Sequence, residues 1–486
     1  MSSELLTDWS VARMLTALRS SELSPVELIQ AHLDRIAEIN PTINAIVTFR
    51  AEEALAEAKE AEKAIAAGAA GELAGLPFTV KDTIETAGVR TTAGSKLLAG
   101  KVPERDAPAV GRLRSAGAIL LGKTNTPEFA MTFSTDNAIF GRTKNPRDLD
   151  LTPGGSSGGE AAVIAAGGSP LGLGSDLAGS IRVPANFCRI YGLRPTAGRV
   201  PSAGQVPYLP HPLGSLSVIG PLARNPEDID LFMRVSDPSW DIVSSDRCRS
   251  VPDADVKKTV GFFLEVECVP TSREVKAAVH RGAAEIVAWQ DVATEEINPI
   301  GLSELFDLWD EIWWGLGGAR GLLAGYFAGR EQDLSPSLKR QVEGSPVPDP
   351  GRVAHAWARV VEIRREMLVL MEGHPLVVCP VAAGPATERP GQWTIGGIEF
   401  RGARGFAYSY CWSLLGFPAI AVASSRDDLP GFQIVARPGH DEEAVALARK
   451  LHRQTEDDPE PYPIHSAISV TQNARSPIGR ALQPRA

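Results

Sequence analysis

A chain of 486 residues, 43% hydrophobic and 22% charged, carries enough apolar material for one large core, although its length alone would allow two to four domains. Its 49 Lys and Arg against 59 Asp and Glu leave a net charge of −10, which opposes a nucleic acid or an anionic membrane as partner. No run reaches the roughly 18 apolar residues of a membrane span.

The N-terminal Met-Ser-Ser-Glu-Leu-Leu-Thr-Asp lacks the basic start and apolar core of a secretion signal. The five cysteines, at 188, 248, 268, 379 and 411, are odd in number and scattered. Both features favour a reduced, cytoplasmic setting over a disulfide framework. Ser24-Pro25-Val26-Glu27 forms a capping box with proline at the first helical position, and Val26, Ile29, Leu33 and Ile36 recur on one helical face. The segment from Ala51 to Ala67 is so rich in Ala, Glu and Lys that only a thin stripe can pack. Residues 1–70 therefore read as a helical cover.

Beyond them, the short apolar runs Phe78-Thr-Val80, Ile119-Leu-Leu121 and Leu171-Gly-Leu173 alternate with helical patterns, the mark of an α/β architecture. Lys81 and Asp82 follow the first run; in extended chain their side chains point to opposite faces, so Asp82 should project away from Lys81. Gly117 to Thr124 satisfies the phosphate-loop pattern in letters. Its interior, Ala118-Ile-Leu-Leu121, is a buried-strand run, which does not suit an open loop cradling phosphates.

Two glycine-rich loops follow, each exposing a serine. Gly154-Gly155-Ser156-Ser157-Gly158-Gly159 runs into the helix former Glu160 to Ala166, so its amide groups face outward at a helix start. Gly154-x-Ser156-x-Gly158 fits a nucleophile elbow, but the preceding Arg147 to Pro153 is polar and proline-ended where that motif needs a central strand. Gly174-Ser175-Asp176-Leu177-Ala178-Gly179-Ser180 joins the apolar run at 171–173 to a second short helix. Backbone lacking Cβ can bring N–H groups close to a developing negative charge, and a serine beside such donors is a candidate nucleophile.

Further along, residues 302–331 concentrate Phe306, Trp309, Trp313, Trp314 and Phe327 in a chain only 6% aromatic. Core packing accounts for such a cluster, and so does a pocket wall or lid favouring aryl or long acyl groups. The eight histidines are dispersed without metal-ligand spacing; His211 and His440 are the candidates for a Ser-His-Asp arrangement. From His465 to Ala486 there are three arginines and no acids, which reads as a surface-draped tail.

Taken together, residues 152–196, Gly75 to Asp82, Gly122 to Phe129 and Gly431 to Val435 closely resemble the amidase signature hydrolases, strongly over 70–235 and weakly over 395–455. The resemblance implies a large mixed β-sheet flanked by helices in one large domain. Its parts would be a cover (1–70), a catalytic core (71–235), a variable pocket region (236–394), the C-terminal part of the core (395–460) and a tail (461–486). It implies Ser180 as nucleophile, Ser156 as bridging serine after a cis Gly155-Ser156 bond, and Lys81 as base. The backbone N–H groups of Leu177, Ala178, Gly179 and Ser180 would form the oxyanion hole. Ala130 and Gly155, with Trp313 and Trp314, are read as substrate-binding. Two positions depart from the family pattern, Ala178 and Arg189, each replacing a usual glycine.

The chemistry turns on the lysine. An ammonium cannot accept a proton, and bringing Lys81 from about 10.4 to near 7 requires roughly 4 kcal/mol against its charged form, which burial can supply. The activity implied is hydrolysis of a small-molecule linear amide, extending to aryl amides, carbamates (urethanes) and esters, through an acyl-enzyme and with no metal or organic cofactor. The glutamine-hydrolysing subunit of a tRNA-dependent amidotransferase is the alternative within the family, and a non-catalytic binding or nucleotide-binding protein the alternative outside it. A homodimer is compatible with all three.

Overall fold

A computed structural model describes residues 5–240 and 259–456, apart from 267, 289–291, 390, 401, 425, 427 and 428. Cys248 and the expected tail lie outside the described residues. In chain order the strands are β1 (Ile46–Phe49), β2 (Pro77–Lys81), β3 (Ile119–Thr124), β4 (Leu171–Asp176), β5 (Tyr191–Arg194), β6 (Val218–Ala223) and β7 (Thr259–Phe262). There follow β8 (Ala293–Glu296), β9 (Leu376–Cys379), β10 (Trp393–Ile395), β11 (Ile398–Phe400), β12 (Ala419–Val422) and β13 (Phe432–Ala436). Eleven of them form one mixed sheet in the order β1-β3-β2-β4-β6-β5-β12-β13-β9-β7-β8, and β10 and β11 make a separate hairpin. The expected α/β class with a large mixed sheet and flanking helices is therefore the observed one.

Every expected part that lies within the described residues contributes to that sheet. Even the helical cover does: between its helices Pro25–Ile43 and Ala51–Ala66 runs β1, paired antiparallel to β3 at the sheet edge. The box at Ser24 caps the first of these helices, with Glu27 Oε2 accepting the Ser24 N–H at 3.0 Å. The second buries only Ala54 and Ala58, the thin stripe its composition foretells.

Alternation along the central strands separates core from site. On β2, Phe78 and Val80 join one hydrophobic cluster, together with Leu171 and Leu173 of β4. Thr79 and Lys81 are also fully buried but belong to the opposite face of β2, which the helix Gly158–Ala165 covers. Gly172 and Gly174 leave the space on that face of β4: a Cβ at Gly174 would come within 2.9 Å of Ser157 Oγ. β2 and β4 are parallel with Val80 beside Leu173, so Lys81 ends its strand close to the Ser175-Asp176 end of β4. Of the phosphate-loop letters at 117–124, the last six, Ile119–Thr124, form β3, buried and extended.

Candidate active site

The first glycine loop starts the helix Gly158–Ala165 and the second leads from β4 into the helix Arg182–Cys188, as their sequences indicate. The Gly155-Ser156 peptide is cis. Lys81 is fully buried, and its Nζ donates to Ser156 Oγ at 2.7 Å and to Ser175 Oγ at 2.9 Å. Burial drives its pKa down to about 7, opposed by the charges of Asp176 and Glu160. Asp82 turns the other way, as strand geometry requires. Its carboxylate accepts from the Thr92 N–H at 3.0 Å and faces Lys123, whose own pKa burial lowers to about 8.

Ser180 lines the same cavity as Ser156 and Ser175. Its carbonyl accepts from the Ser157 N–H at 3.1 Å, which ties the two glycine loops together. Among the described residues its hydroxyl makes no hydrogen bond to Ser156. Thr126 Oγ1 holds the Ser156 carbonyl at 3.0 Å.

Asp176 organises the loop that precedes Ser180. Burial opposes its charge, but Arg182 and Arg194 outweigh that and hold its carboxyl below the usual range. Arg182 Nε meets Asp176 Oδ2 at 3.1 Å with both side chains wholly inaccessible. The carboxylate also accepts the N–H groups of Gly179 at 2.8 Å and Ile181 at 3.1 Å. Of the four amides expected in an oxyanion hole, Gly179 N–H is thus already engaged; those of Leu177, Ala178 and Ser180 have no such partner among the described residues. Gly179 adopts φ +111°, and a Cβ there would meet Ser409 Cβ at 2.5 Å, so both conformation and space demand glycine.

Neither family departure disturbs this frame. Ala178 is not a positive-φ residue and lines the cavity. Arg189 takes φ +56° where it caps the helix Arg182–Cys188, the left-handed position that favours glycine, and it does not line the cavity.

The cavity has a volume of about 530 Å³. Of the residues read as substrate-binding, Ala130, Trp313 and Trp314 line it and Gly155 does not. A Cβ on Gly155 would lie 2.8 Å from the Phe133 backbone, so Gly155 backs the wall from behind because only glycine lets the 132–134 segment approach. Two aromatic stacks line the cavity. Trp309 stacks on Tyr410 at 5.0 Å and on Trp313 at 6.3 Å, and Phe133 stacks on Phe406 at 4.0 Å. Phe306 and Phe327, from the same aromatic segment, are core residues. Neither His211 nor His440 lines the cavity, and among the described residues neither bonds Ser156 or Ser180: His211 packs against Trp357 and lies 3.4 Å from Ser215 Oγ, and His440 contacts Glu443.

Sequence reasoning missed several residues. Ser175 reads only as a member of the second glycine loop, without a role; that it contacts Lys81 depends on β2 and β4 being parallel neighbours. Phe406 and Tyr410 lie far along the chain from the glycine loops and carry no motif, so nothing local could flag them.

A family model described as Amidase matches residues 27–445. A glutamyl-tRNA(Gln) amidotransferase subunit from Roseiflexus sp. (strain RS-1) is 42% identical over 304 residues, 60% of this chain and 61% of that protein. The corresponding subunit from Thermus thermophilus is 49% identical over 212 residues, 44% of this chain and 43% of that protein. The chain thus spans less than two thirds of these relatives. Among solved structures, a chain from a vestigial protein complex bearing on the origins of an s-triazine catabolic enzyme superposes with a TM-score of 0.82 at 27% identity, covering 92% of this chain and 98% of that one.

Proposed function

Because this chain belongs to the amidase family, we propose that it is a cytoplasmic serine hydrolase that cleaves linear amides with apolar or aryl substituents through Ser180, Ser156 and Lys81. Neutral Lys81 takes the Ser156 proton as Ser156 takes the Ser180 proton, and Ser180 Oγ bonds the substrate carbonyl carbon. The oxyanion collects the N–H groups of Leu177, Ala178 and Ser180, each such donor typically worth about 100- to 1,000-fold in rate. On collapse the C–N bond breaks and the relay returns its proton to the departing amine. Water, deprotonated along the same path, then releases the acyl group and frees Ser180. Carbamates and esters present the same carbonyl chemistry and extend the range.

The observation that carries this reading is the contact of Lys81 Nζ with Ser156 Oγ at 2.7 Å, made at full burial beside a cavity that Ser180 also lines. Its aromatic stacks, formed by Trp309, Trp313 and Tyr410 and by Phe133 and Phe406, support a flat apolar substituent over a small polar one. A second reading, a glutamine-hydrolysing subunit of a tRNA-dependent amidotransferase, draws on the curated relatives, which are amidotransferase subunits at 42% and 49% identity.

One panel decides between them. Purified chain and its Ser180→Ala variant are incubated with anilides, aliphatic amides, ethyl carbamates, esters and L-glutamine, and the products are read by mass spectrometry. Turnover of anilides by wild type alone is expected. Equal turnover by both proteins would remove Ser180 as nucleophile, and turnover of glutamine alone would install the second reading in place of the first.

A further inference from the structure

Beneath the proposed triad lies a buried acid that the mechanism above does not use. Glu160 stands in the first turn of the helix that starts two residues after Ser156, and it is wholly inaccessible. Its Oε1 accepts the hydroxyl of Thr79 and its Oε2 that of Thr124 at 2.6 Å. Thr79 precedes Lys81 by two residues and so shares its face of β2, and Thr124 pairs with Lys81 across the β2–β3 ladder. On the third side, Gly172 of β4 lies opposite Thr79, and a Cβ there would fall within 3 Å of the Glu160 side chain. Three strands thus leave a fitted recess for one carboxyl group.

A tie between helix and sheet does not by itself require an acid. A buried carboxylate loses its hydration, and among the described residues Glu160 has no ion-pair partner to compensate. The charged groups whose fields reach it are Lys81 of β2 and Lys123 of β3. Lys123 is occupied by Thr86 Oγ1 at 2.9 Å and faces Asp82. Among the described residues Lys81 is held only by hydroxyls, and Asp176 and Glu160 are the negative charges acting on it.

We propose that Glu160 is a positioning residue for Lys81: it fastens the strand face that carries the lysine to the helix that follows Ser156, and its charge steadies the ammonium formed when Lys81 takes the proton. This rests on Lys81 being the base. Burial, the larger cause for both, works against each charge and pushes Glu160 up to about 7, opposed by the threonine hydroxyls, Lys123 and Lys81. The mutual influence has the sign this needs, Lys81 lowering Glu160 and Glu160 raising Lys81.

The test is the pH dependence of kcat and kcat/KM for a turned-over amide in Glu160→Gln, Thr79→Val and Lys81→Ala. Gln keeps the shape, with one accepting and one donating group for the two threonines, and removes the charge. Glu160→Gln is expected to lower kcat by about tenfold or more with KM within about twofold, and to move the acid limb of kcat/KM to lower pH. Thr79→Val, the milder change, keeps the carboxyl and is expected to lower kcat at constant KM; it carries the test should the Gln variant not fold. Wild-type kcat with an unmoved acid limb in Glu160→Gln, or wild-type kcat in Thr79→Val, would overturn the proposal. Full activity in Lys81→Ala would instead sink the base assignment beneath it, so the two failures are distinguishable.

Discussion

The floor of the cavity and its aromatic wall are built on different principles. At the floor, Lys81 and Asp176 are wholly inaccessible and Ser156 nearly so, and each polar atom is fixed by strand ends, helix starts and a buried ion pair. The wall comes from residues 129–134, from the helix Leu302–Gly315 and from residues 402–410, and it is largely aromatic, with Trp314 still 37% exposed. Buried polar constellations tolerate little change, because each lost partner leaves another group unsatisfied in low dielectric. A wall of rings works by area and shape, so losing one ring alters which substrates fit and leaves the chemistry standing.

The largest effect that could break this contrast belongs to the floor. Ser180→Ala and Lys81→Ala are each expected to lower kcat about 10,000-fold on every substrate alike, the double variant falling little further because the residues act as a unit. Steady-state rates on two substrates of different bulk check this. If one substrate kept its rate in either variant, the floor would not be common machinery.

Next in size is the response to pH. Only the neutral amine of Lys81 accepts a proton, and with its pKa at about 7 the active fraction falls about tenfold for each unit below that. At pH 5 kcat/KM should lie about 100-fold under its alkaline plateau. A flat profile between pH 5 and 9, with chemistry rate-limiting, would contradict a lysine base.

How far this was legible from the chain follows the same division. Floor residues sit within short motifs, since glycines must fall where the backbone turns sharply, as at Gly179, or where a neighbour presses close, as at Gly155 and Gly172; such needs are local and leave letters behind. Even there, Ser175 and Glu160 escaped notice, because their contacts with Lys81 and Thr79 cross between strands and a helix and depend on register. The wall was half legible: an aromatic concentration marked 302–331, but Phe306 and Phe327 went to the core and Trp309 and Trp313 to the cavity. Tyr410 and Phe406 come from nearly a hundred residues away. The cover proved to hold a sheet strand, Ile46–Phe49, whose four residues lie between two strong helical patterns.

Trp313→Ala sharpens the contrast from the wall side. Removing a ring stacked beside Trp309 is expected to lower kcat/KM for anilides about tenfold, with aliphatic amides little changed. The ratio of the two substrates is the readout, with an unchanged Tm as the control for folding. An equal fall on both would mean that the wall supports the floor rather than selecting the substrate.

The smallest expected effect tests whether the signature's backbone or its surroundings set the floor's geometry. Arg189 holds φ +56° at the end of the helix that carries Arg182, a conformation that costs a residue with a Cβ about 1–2 kcal/mol. Glycine would relieve that strain but give back part of the gain through the greater freedom of the unfolded chain. From the backbone alone Arg189→Gly is therefore expected to stabilise by about 0.5–1 kcal/mol, which in a chain this long raises Tm by only about 1 °C before the arginine's lost side-chain interaction is subtracted. Calorimetry of both proteins at one scan rate would resolve it. Because Arg189 does not line the cavity, kcat and KM should stay at wild-type values. A lower Tm would show that the contacts of the arginine side chain outweigh the strain, and a changed kcat would show that the end of this helix helps to set the floor through Arg182 and Asp176.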